Sequence, residues 1–377
     1  MNSKNNERPN ILYVSLWPWD ALWQRPQHLA QQLAANYNVI FTSAIPFHSG
    51  KGKGKFKNKI WNLEKQEITE QLSVLNFYFL PSWRFDSIRR WNHRQWVSSI
   101  CDYIKQENIS IDILWVSSPE HLPFLKRINS RLACYDCMDN YESFFPQLAS
   151  IEQELFRRVD VSFVSAALLE DKARKFAKEV HLVPNGVEVE RFSKVLEEAY
   201  PLPADMSTIP SPRIGYYGSI DDWMDCDIFD ELFKKTGLST VLIGPIKSNT
   251  AKKLKESKHV ILLGAKPYSQ LPAYLAHFSV CILPFKDTEL TRAVDPVKVY
   301  EYLAAGKDVV ATPLPALAQH GKLLSLALPA DFSEAIGAFL EHPTPREVQT
   351  KRSAAMSEHS WAKRAEMIRL VFNNKGI

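Results

Sequence analysis

Short apolar runs alternate with amphipathic stretches along most of the chain. Apolar runs bounded by turn-forming residues are typical of buried strands. They occur at residues 10–16, 39–42, 74–80, 111–116, 132–137, 161–164, 180–183, 213–217, 241–244, 260–263, 279–285 and 309–312. Helical stretches lie between them, for example after Pro26, Pro119 and Ser165. This alternation predicts an α/β protein with parallel sheets.

One segment interrupts the alternation. Residues 191–212 are rich in proline and polar side chains, and the strand pattern resumes after them. We predict a linker at 191–212, between a first domain at 1–190 and a second domain at 213–359. Because both parts repeat the strand–helix pattern, we expect two similar α/β domains in tandem.

The stretch 279–313 combines a strand, a polar loop, a helix and a second strand. Asp295 can cap the helix, Pro296 suits its first position, and Gly306 suits the turn after its end. In an open parallel sheet, ligands bind at the carboxyl ends of strands, and a helix start attracts phosphate. The loop before this helix is therefore a candidate ligand site.

Lys298 and Glu301 lie three residues apart on this predicted helix, so they share a face. A cation near a helix start opposes the helix dipole unless an anion lies in front of it. A carboxylate one turn further along can accept hydrogen bonds from the vicinal hydroxyls of a sugar. The alternative is a surface salt bridge, which would be common and weak.

Composition and charge exclude several protein classes. The chain has 377 residues, of which 45% are hydrophobic and 23% charged, as in a soluble globular protein. We find no apolar run of roughly 18 residues, the length that spans a bilayer, and the N-terminus lacks the apolar core of a secretory signal. A net charge of +4 is too small to indicate nucleic-acid binding. No GxGxxG or Walker-type lysine loop supports a dinucleotide or ATP site.

The five cysteines lie mostly in apolar segments, which suits reduced thiols in a cytoplasm. Cys134 and Cys137 form a CxxC pair inside a predicted strand, and we interpret them as buried thiols rather than as a redox or zinc site. The triplet Asp225-Cys226-Asp227 has the spacing of a DxD metal motif, but its place at a predicted helix start favours an interaction with the helix dipole. We therefore predict no metal site.

Several motifs together resemble one enzyme family. They include WQRPQHLAQQLA (23–34), VPNGVEVERF (183–192), RIGYYGSIDDW (213–223), DPVKVYEYLAAGKDVVATPLPAL (295–317) and the SW pair at 360–361. In this order they resemble bacterial family-4 glycosyltransferases of the GT-B fold, in the branch related to teichuronic acid and exopolysaccharide enzymes. The 295–317 block is the most specific of them.

The resemblance implies a fold and an activity. The fold is α/β GT-B, with two Rossmann-like parallel-sheet domains facing a central cleft and the last helix, 360–377, packed back on the first domain. The second domain would bind a nucleotide diphosphate sugar, with UDP as the default nucleotide, and the first a glycan or lipid-linked acceptor. Such enzymes usually retain anomeric configuration and need no metal, so the sugar donor is a co-substrate and no cofactor is expected.

The resemblance also implies donor contacts. Glu301 would hold the ribose hydroxyls and Lys298 the diphosphate, and both count among the catalytic candidates. The remaining donor candidates are Gly218 and Ser219 at the phosphates, Gly244 at the base pocket, Lys266 and Pro267 beside the base, and the backbone around Val294, Asp295, Pro296 and Val297. The first glutamate of the family's paired motif would fall on Ala293, which departs from the pattern. Arg292 could supply positive charge instead.

The loop after the first strand is crowded with aromatic and polar side chains: Trp17, Trp19, Trp23, Gln24, Arg25 and His28. Such rings stack on sugars and Arg25 suits an anion, so we predict acceptor binding there. Packing of the loop on its own domain is the alternative. His121 is a further acceptor candidate, with a surface histidine as the alternative. Asp136 and Asp139 follow a strand and are candidate bases, or caps of the next helix.

A basic loop at 51–59 is a candidate for contact with an anionic membrane, together with Trp61, Trp83, Arg84, Arg89, Arg90 and Trp91. A simply solvated loop is the alternative. The expected location is cytoplasmic, with the inner face of the plasma membrane as a further option. Two other functions stay open: a degenerate, non-catalytic GT-B protein that binds nucleotide sugar or assists a partner enzyme, and, with less support, a sugar epimerase.

Overall fold

The computed structural model describes residues 8–46, 61–79, 86–248, 254 and 256–377. The chain divides into two compact units. The first contains residues 1–184 and 364–377, and the second contains residues 185–363. No helix within the described ranges is long and apolar enough to cross a membrane. The basic loop 51–59, Trp83 and Arg84 lie outside the described residues.

The described part of the first unit forms an eight-stranded sheet in the order β3-β4-β2-β1-β5-β6-β7-β8. Only β3 runs antiparallel to its neighbour, in a hairpin with β4 at the sheet edge. The sheet centre is apolar on both faces, as helices on both sides require. Its strands are β1 Asn10–Ser15, β2 Asn38–Pro46, β3 Leu63–Thr69, β4 Leu72–Phe79, β5 Ile111–Val116, β6 Ser130–Cys137, β7 Val161–Val164 and β8 Val180–Leu182.

Helices cover this sheet. The α-helices are Arg25–Leu33, Asp86–Gln106, Leu122–Leu125, Tyr141–Phe144, Ala149–Arg158 and Ala167–Ala173, with 3₁₀ turns at Pro119–His121 and Pro146–Leu148. The last helix of the chain, Trp361–Asn374, enters this unit at Arg364. Its Phe372 is fully buried and lies edge-on to the rings of Tyr37 and Trp115.

The second unit has a parallel sheet of six strands within its described part, in the order β11-β10-β9-β12-β13-β14. The strands are β9 Ile214–Tyr217, β10 Thr240–Ile243, β11 Val260–Leu262, β12 Val280–Leu283, β13 Asp308–Ala311 and β14 Ser325–Leu326. Its α-helices include Val189–Glu197, Asp227–Thr236, Leu271–Ala276, Glu289–Arg292, Val297–Ala304, Phe332–Glu341 and Arg346–Ala355. The 3₁₀ turns are Ala204–Met206, Tyr268–Gln270, Pro315–His320 and Met356–His359.

The predicted strands are all present, with ends that shift by a few residues. The linker prediction is wrong. Residues 191–212 belong to the second unit, where the Val189–Glu197 helix inserts Phe192 and the following turn inserts Met206, both fully buried, into the core. Pro203 precedes the Ala204–Met206 turn of this segment. The pattern also missed β3, whose side chains are mostly exposed and polar, and the two-residue strand β14.

Candidate functional site

The first two strands of the second sheet end in glycines that touch each other. Gly218 follows β9 with φ +142° and Gly244 follows β10 with φ +151°. A Cβ on Gly244 would lie 1.7 Å from the Gly218 carbonyl oxygen, so only glycine fits there. The two predicted donor-site glycines therefore lie together at the carboxyl edge of the sheet.

The side chain of Lys298 packs over Gly218. A Cβ on Gly218 would stand 1.9 Å from Lys298 Cε, so the lysine stem occupies the space that a side chain would take. Lys298 is the second residue of the Val297–Ala304 helix. The ammonium group is thus held at a helix start, beside the glycine-lined strand ends.

Glu301 lies one turn further along the same helix and is 4% exposed. Burial raises the pKa of its carboxyl to about 7, although the phenols of Tyr217 and Tyr268 and the Lys298 ammonium lower it in part. Because the pKa lies above the usual carboxyl value, the stability that protonated Glu301 contributes is present at low pH and is lost as pH rises through about 7. A ligand with hydroxyl donors would instead favour the ionised form.

Two tyrosines beside Glu301 were missed by the sequence analysis. Burial, and then the nearby Glu301 carboxyl, raise the pKa of Tyr217 well above its usual value, and the same causes act on Tyr268. Both phenols therefore stay protonated at neutral pH. The Arg191 guanidinium lies 5.1 Å from the Tyr268 ring centre. Tyr217 ends β9 next to Gly218, and Tyr268 follows Pro267, so each lies beside a residue for which the resemblance implies a donor contact.

The start of the Val297–Ala304 helix differs from the prediction. Pro296 is the N-cap residue, and no side chain caps the helix. The Asp295 carboxylate instead accepts the Asn185 backbone N–H at 2.6 Å and the Tyr300 hydroxyl at 2.9 Å. The prediction that Asp295 caps the helix is therefore wrong, because its carboxylate binds these two partners instead. The predicted helix end is confirmed, because Gly306 follows it with φ +68°.

The other predicted donor residues are placed less favourably. Arg292 forms an exposed ion pair with Asp287, and Lys266 pairs with Asp205 at 2.6 Å. Both cations are engaged by carboxylates of their own unit. Ser219 is buried, and its carbonyl accepts the Tyr216 hydroxyl at 2.9 Å. Val294 and Val297 remain beside Asp295 at the helix start, and Ala293 is buried at 3% exposure.

In the first unit, two predicted site residues bind each other. Arg25 Nε lies 3.0 Å from both carboxylate oxygens of Asp136, and Arg25 Nη2 lies 2.8 Å from Oδ1. Both side chains are almost fully buried. The predictions that Asp136 is a free base and that Arg25 binds an anionic ligand are therefore wrong, because the two side chains neutralise each other. Breaking such a buried ion pair costs about 3–5 kcal/mol.

The remaining acceptor candidates divide into buried and partly exposed groups. Trp19 packs against Phe41, and His28 lies edge-on to Trp23, so the loop packs on its own unit at these two buried positions. Trp17, Trp23 and Gln24 are partly exposed, which leaves them as predictions.

His121 is neither a surface histidine nor an accessible ligand. It is 2% exposed, and its Nδ1 accepts the Ser117 N–H at 3.3 Å. Burial lowers its pKa well below the usual value, so the ring is neutral. Asp139 is partly exposed and stays a candidate base. The cap of the following helix is Asn140, so neither Asp136 nor Asp139 has the alternative capping role.

The cysteines and the DxD-like triplet form no visible metal site. Cys134 and Cys137 are buried free thiols, as predicted. Asp225 accepts the Asp227 backbone N–H at 3.2 Å, at the start of the Asp227–Thr236 helix. Within the described residues, no group of three or more His, Cys, Asp and Glu side chains is arranged to hold a metal ion.

Comparisons with known proteins concern the fold and the second unit. Residues 211–342 match the family described as glycosyl transferases group 1. A relative from Bacillus subtilis (strain 168), whose name assigns it provisionally to teichuronic acid biosynthesis as the glycosyltransferase TuaH, is 27% identical over 344 residues. That alignment covers 83% of this chain and 82% of the relative.

Two solved structures share the fold. Sucrose-phosphate synthase from Thermosynechococcus elongatus superposes with a TM-score of 0.74 at 14% identity, covering 97% of this chain and 99% of the other. HepE of Anabaena in complex with UDP superposes with a TM-score of 0.65 at 14% identity, covering 97% and 100%. These matches confirm the predicted resemblance: the chain has the GT-B glycosyltransferase fold, and its second unit matches the group 1 glycosyl transferases over residues 211–342.

Proposed function

We propose that this protein is a retaining, metal-independent glycosyltransferase that moves a sugar from a nucleotide diphosphate sugar, with UDP as the nucleotide, to a glycan or lipid-linked acceptor in polysaccharide or cell-envelope biosynthesis. The teichuronic acid assignment in the name of the Bacillus relative supports the acceptor class. The UDP complex of HepE, which has the same fold, supports the nucleotide.

The observation that carries this proposal is the placement of Glu301 and Lys298 on one helix beside Gly218. The Glu301 carboxyl is buried beside the phenols of Tyr217 and Tyr268, and burial raises its pKa to about 7 because it disfavours the charged form. Two vicinal hydroxyls of a ribose would satisfy both of its oxygens. Lys298, one turn nearer the helix start, would then face the diphosphate, and the glycines let the phosphates approach the backbone.

The proposed chemistry needs little from side chains. As the bond between the anomeric carbon and the diphosphate breaks, negative charge grows on the leaving phosphate. The Lys298 ammonium and the N–H groups at the helix start would stabilise that charge. The acceptor hydroxyl would add to the same face of the sugar, and its proton would pass to the leaving phosphate. No free carboxylate base is required, which fits the engagement of Asp136 by Arg25.

Contact with an anionic membrane surface is a separate part of the proposal. The exposed side of the Asp86–Gln106 helix carries Arg90, Trp91 and Arg94, and the Trp61 ring lies 4.7 Å from Trp91. Arginines beside an aromatic pair suit a lipid headgroup region. Such contact would bring the enzyme to a lipid-linked acceptor at the inner face of the plasma membrane.

The non-catalytic alternative rests on Ala293, which replaces the family's first glutamate and is buried. A donor-hydrolysis assay separates the two functions. We expect the protein to release UDP slowly from one or more UDP-sugars without an acceptor, because water can replace the acceptor hydroxyl. The matched control is the Glu301→Ala variant, purified in the same way.

The panel should include UDP-, GDP-, dTDP- and ADP-sugars, with the released nucleoside diphosphate measured by chromatography. Release from UDP-sugars by the wild type alone supports the proposal. Nucleotide binding without any release supports the non-catalytic alternative, and release from a different nucleotide sugar would overturn the choice of UDP.

A further inference from the structure

The Val189–Glu197 helix brings a positive charge to one of the tyrosines beside Glu301. This helix packs against the Val297–Ala304 helix, which carries Glu301. The central carbon of the Arg191 guanidinium lies 5.1 Å from the centre of the Tyr268 ring, within the range of a cation–π interaction. All of these residues belong to the second unit.

A carboxylate and a second ring restrain this contact. Glu188, the residue before the helix, accepts a hydrogen bond of 2.5 Å from Arg191 Nε. Phe192 is fully buried, and its ring lies edge-on to Tyr268 with 5.9 Å between the ring centres. The guanidinium is therefore held by Glu188, and the Tyr268 ring lies between the core and this guanidinium.

The Glu301 carboxyl is the buried group that these charges face. Burial is the main cause that raises its pKa to about 7, and the Glu188 carboxylate adds to the rise, whereas the two phenols and the Lys298 ammonium lower it in part. The charged and titratable groups around it are Lys298 on the same helix, Tyr217 at the end of β9, Tyr268 after Pro267, and Glu188 and Arg191 at the start of the Val189–Glu197 helix.

Arg191 is close enough to interact with this carboxyl. Burial lowers the pKa of Arg191, but the Glu188 carboxylate and, more weakly, Tyr268 and Glu301 raise it above the usual value. The interaction is mutual, because a cation near a carboxyl favours its ionised form and a second carboxylate disfavours it. Loss of the guanidinium would remove a favourable charge and leave the Glu188 charge without its neutralising partner.

We propose that Arg191 is a positioning residue for the donor site of the second unit. Held by Glu188, its guanidinium fixes the Tyr268 ring beside Glu301 and favours the ionised carboxylate that accepts the ribose hydroxyls. Hydrogen bonds to an ionised carboxylate are roughly twice as strong as neutral ones. The role in donor binding rests on the proposed function, whereas the effect on the Glu301 carboxyl needs no ligand.

Titration of Glu301 in the whole chain without ligand tests this role. The glutamate carboxyls are labelled with carbon-13, and the NMR signal that disappears in Glu301→Gln identifies the residue. We expect Arg191→Gln to raise the pH midpoint of this signal by about one unit and Glu188→Gln to lower it by about the same amount. Arg191→Lys should keep most of the wild-type midpoint, because it preserves the positive charge.

The matched control is Lys194→Gln on the same helix. Lys194 forms a solvent-exposed pair with Glu198, so this variant loses one cation from the exposed side of the helix. Because exposed charges are screened by water and salt, the Glu301 midpoint should stay near that of the wild type.

The affinity for UDP, measured by calorimetry, is the second readout. A midpoint raised by about one unit lowers the ionised fraction of Glu301 at pH 7 from about one half to about one tenth, so Arg191→Gln should bind UDP about fivefold more weakly there. The difference from the wild type should fall below about twofold near pH 9, where the carboxyl is ionised in both proteins. A merely structural role of Arg191 would weaken binding equally at both pH values.

The results distinguish this role from the proposed function. Opposite shifts of the Glu301 midpoint in Arg191→Gln and Glu188→Gln support the role. Shifts in the same direction, shifts no larger than that of Lys194→Gln, or an equal loss of UDP affinity at pH 7 and pH 9 would overturn it. If the wild type binds no UDP, the proposed function fails, and the titration without ligand still decides whether Arg191 acts on Glu301.

Discussion

Replacing Lys298 by glutamine should lower donor turnover about 100- to 1000-fold, because a fixed cation near the leaving phosphate stabilises charge that develops only in the transition state. The substitution should cost little stability, since a cation in the first turn opposes the helix dipole. The measurement compares UDP release from a UDP-sugar with the melting temperature of the same preparation.

The matched control for Lys298 is Lys234→Gln. Lys234 lies on another helix of the same unit and forms an exposed pair with Glu231. Exposed pairs of this kind contribute little, so turnover and melting temperature should both stay near those of the wild type. A Lys298→Gln variant with turnover within threefold of wild type would show that the lysine does not face the reacting phosphate, because a group with that role contributes about 100-fold or more.

Replacing Gly244 by alanine should destabilise the second unit by about 3 kcal/mol. This cost combines the backbone strain of a positive φ at a residue with a Cβ and the steric overlap of that Cβ with backbone atoms. The added Cβ would lie 1.7 Å from the Gly218 carbonyl oxygen, which has no flexible side chain to move aside. For a unit of this size, such a loss lowers the melting temperature by about 10 °C. Calorimetry of the purified variant measures it.

The control for Gly244 is Gly237→Ala. Gly237 also has positive φ, at +70°, but a Cβ there would meet nothing within 4 Å. The Gly237→Ala variant should therefore lose stability only through backbone strain, by about 1 kcal/mol. Equal losses in the two variants would mean that the strand ends at Gly218 and Gly244 are not in contact.

The sequence predicted twelve strands because their apolar runs are short and continuous, and it missed β3 and β14. The pattern also placed Lys298 and Glu301 at a helix start beside a strand end, because these meet at one edge of a parallel sheet. Gly218 and Gly244 were expected beside them only through the family resemblance. The sequence-based predictions were wrong for polar side chains whose partners lie far away in the chain. Arg25 and Asp136 are 111 residues apart in the chain, and the residues around each of them do not indicate that the two will pair.

Asp295 failed for a related reason. Local rules favour an aspartate before a proline as a helix cap. Here the Asp295 carboxylate accepts the Asn185 N–H and the hydroxyl of Tyr300, which lies inside the helix, and no side chain caps the helix start. Tyr217 and Tyr268 were missed because an isolated tyrosine beside a strand or turn carries no pattern that distinguishes a site residue from a core residue. Only the fold brings both phenols to Glu301.

The central claim is that Glu301 holds the ribose of a uridine nucleotide, and the most direct test is calorimetric titration of UDP into wild type and Glu301→Gln. The carboxyl has a pKa of about 7, and ribose hydroxyls favour its ionised form. We expect wild-type affinity to rise from about pH 6 to about pH 8 and then level off, by up to tenfold per pH unit below the pKa. The ligand's own titration affects both proteins equally. The glutamine variant should therefore show a smaller rise, without the part due to Glu301, and should bind about 100-fold more weakly above the pKa. Equal affinity and the same pH profile in both proteins would contradict the claim.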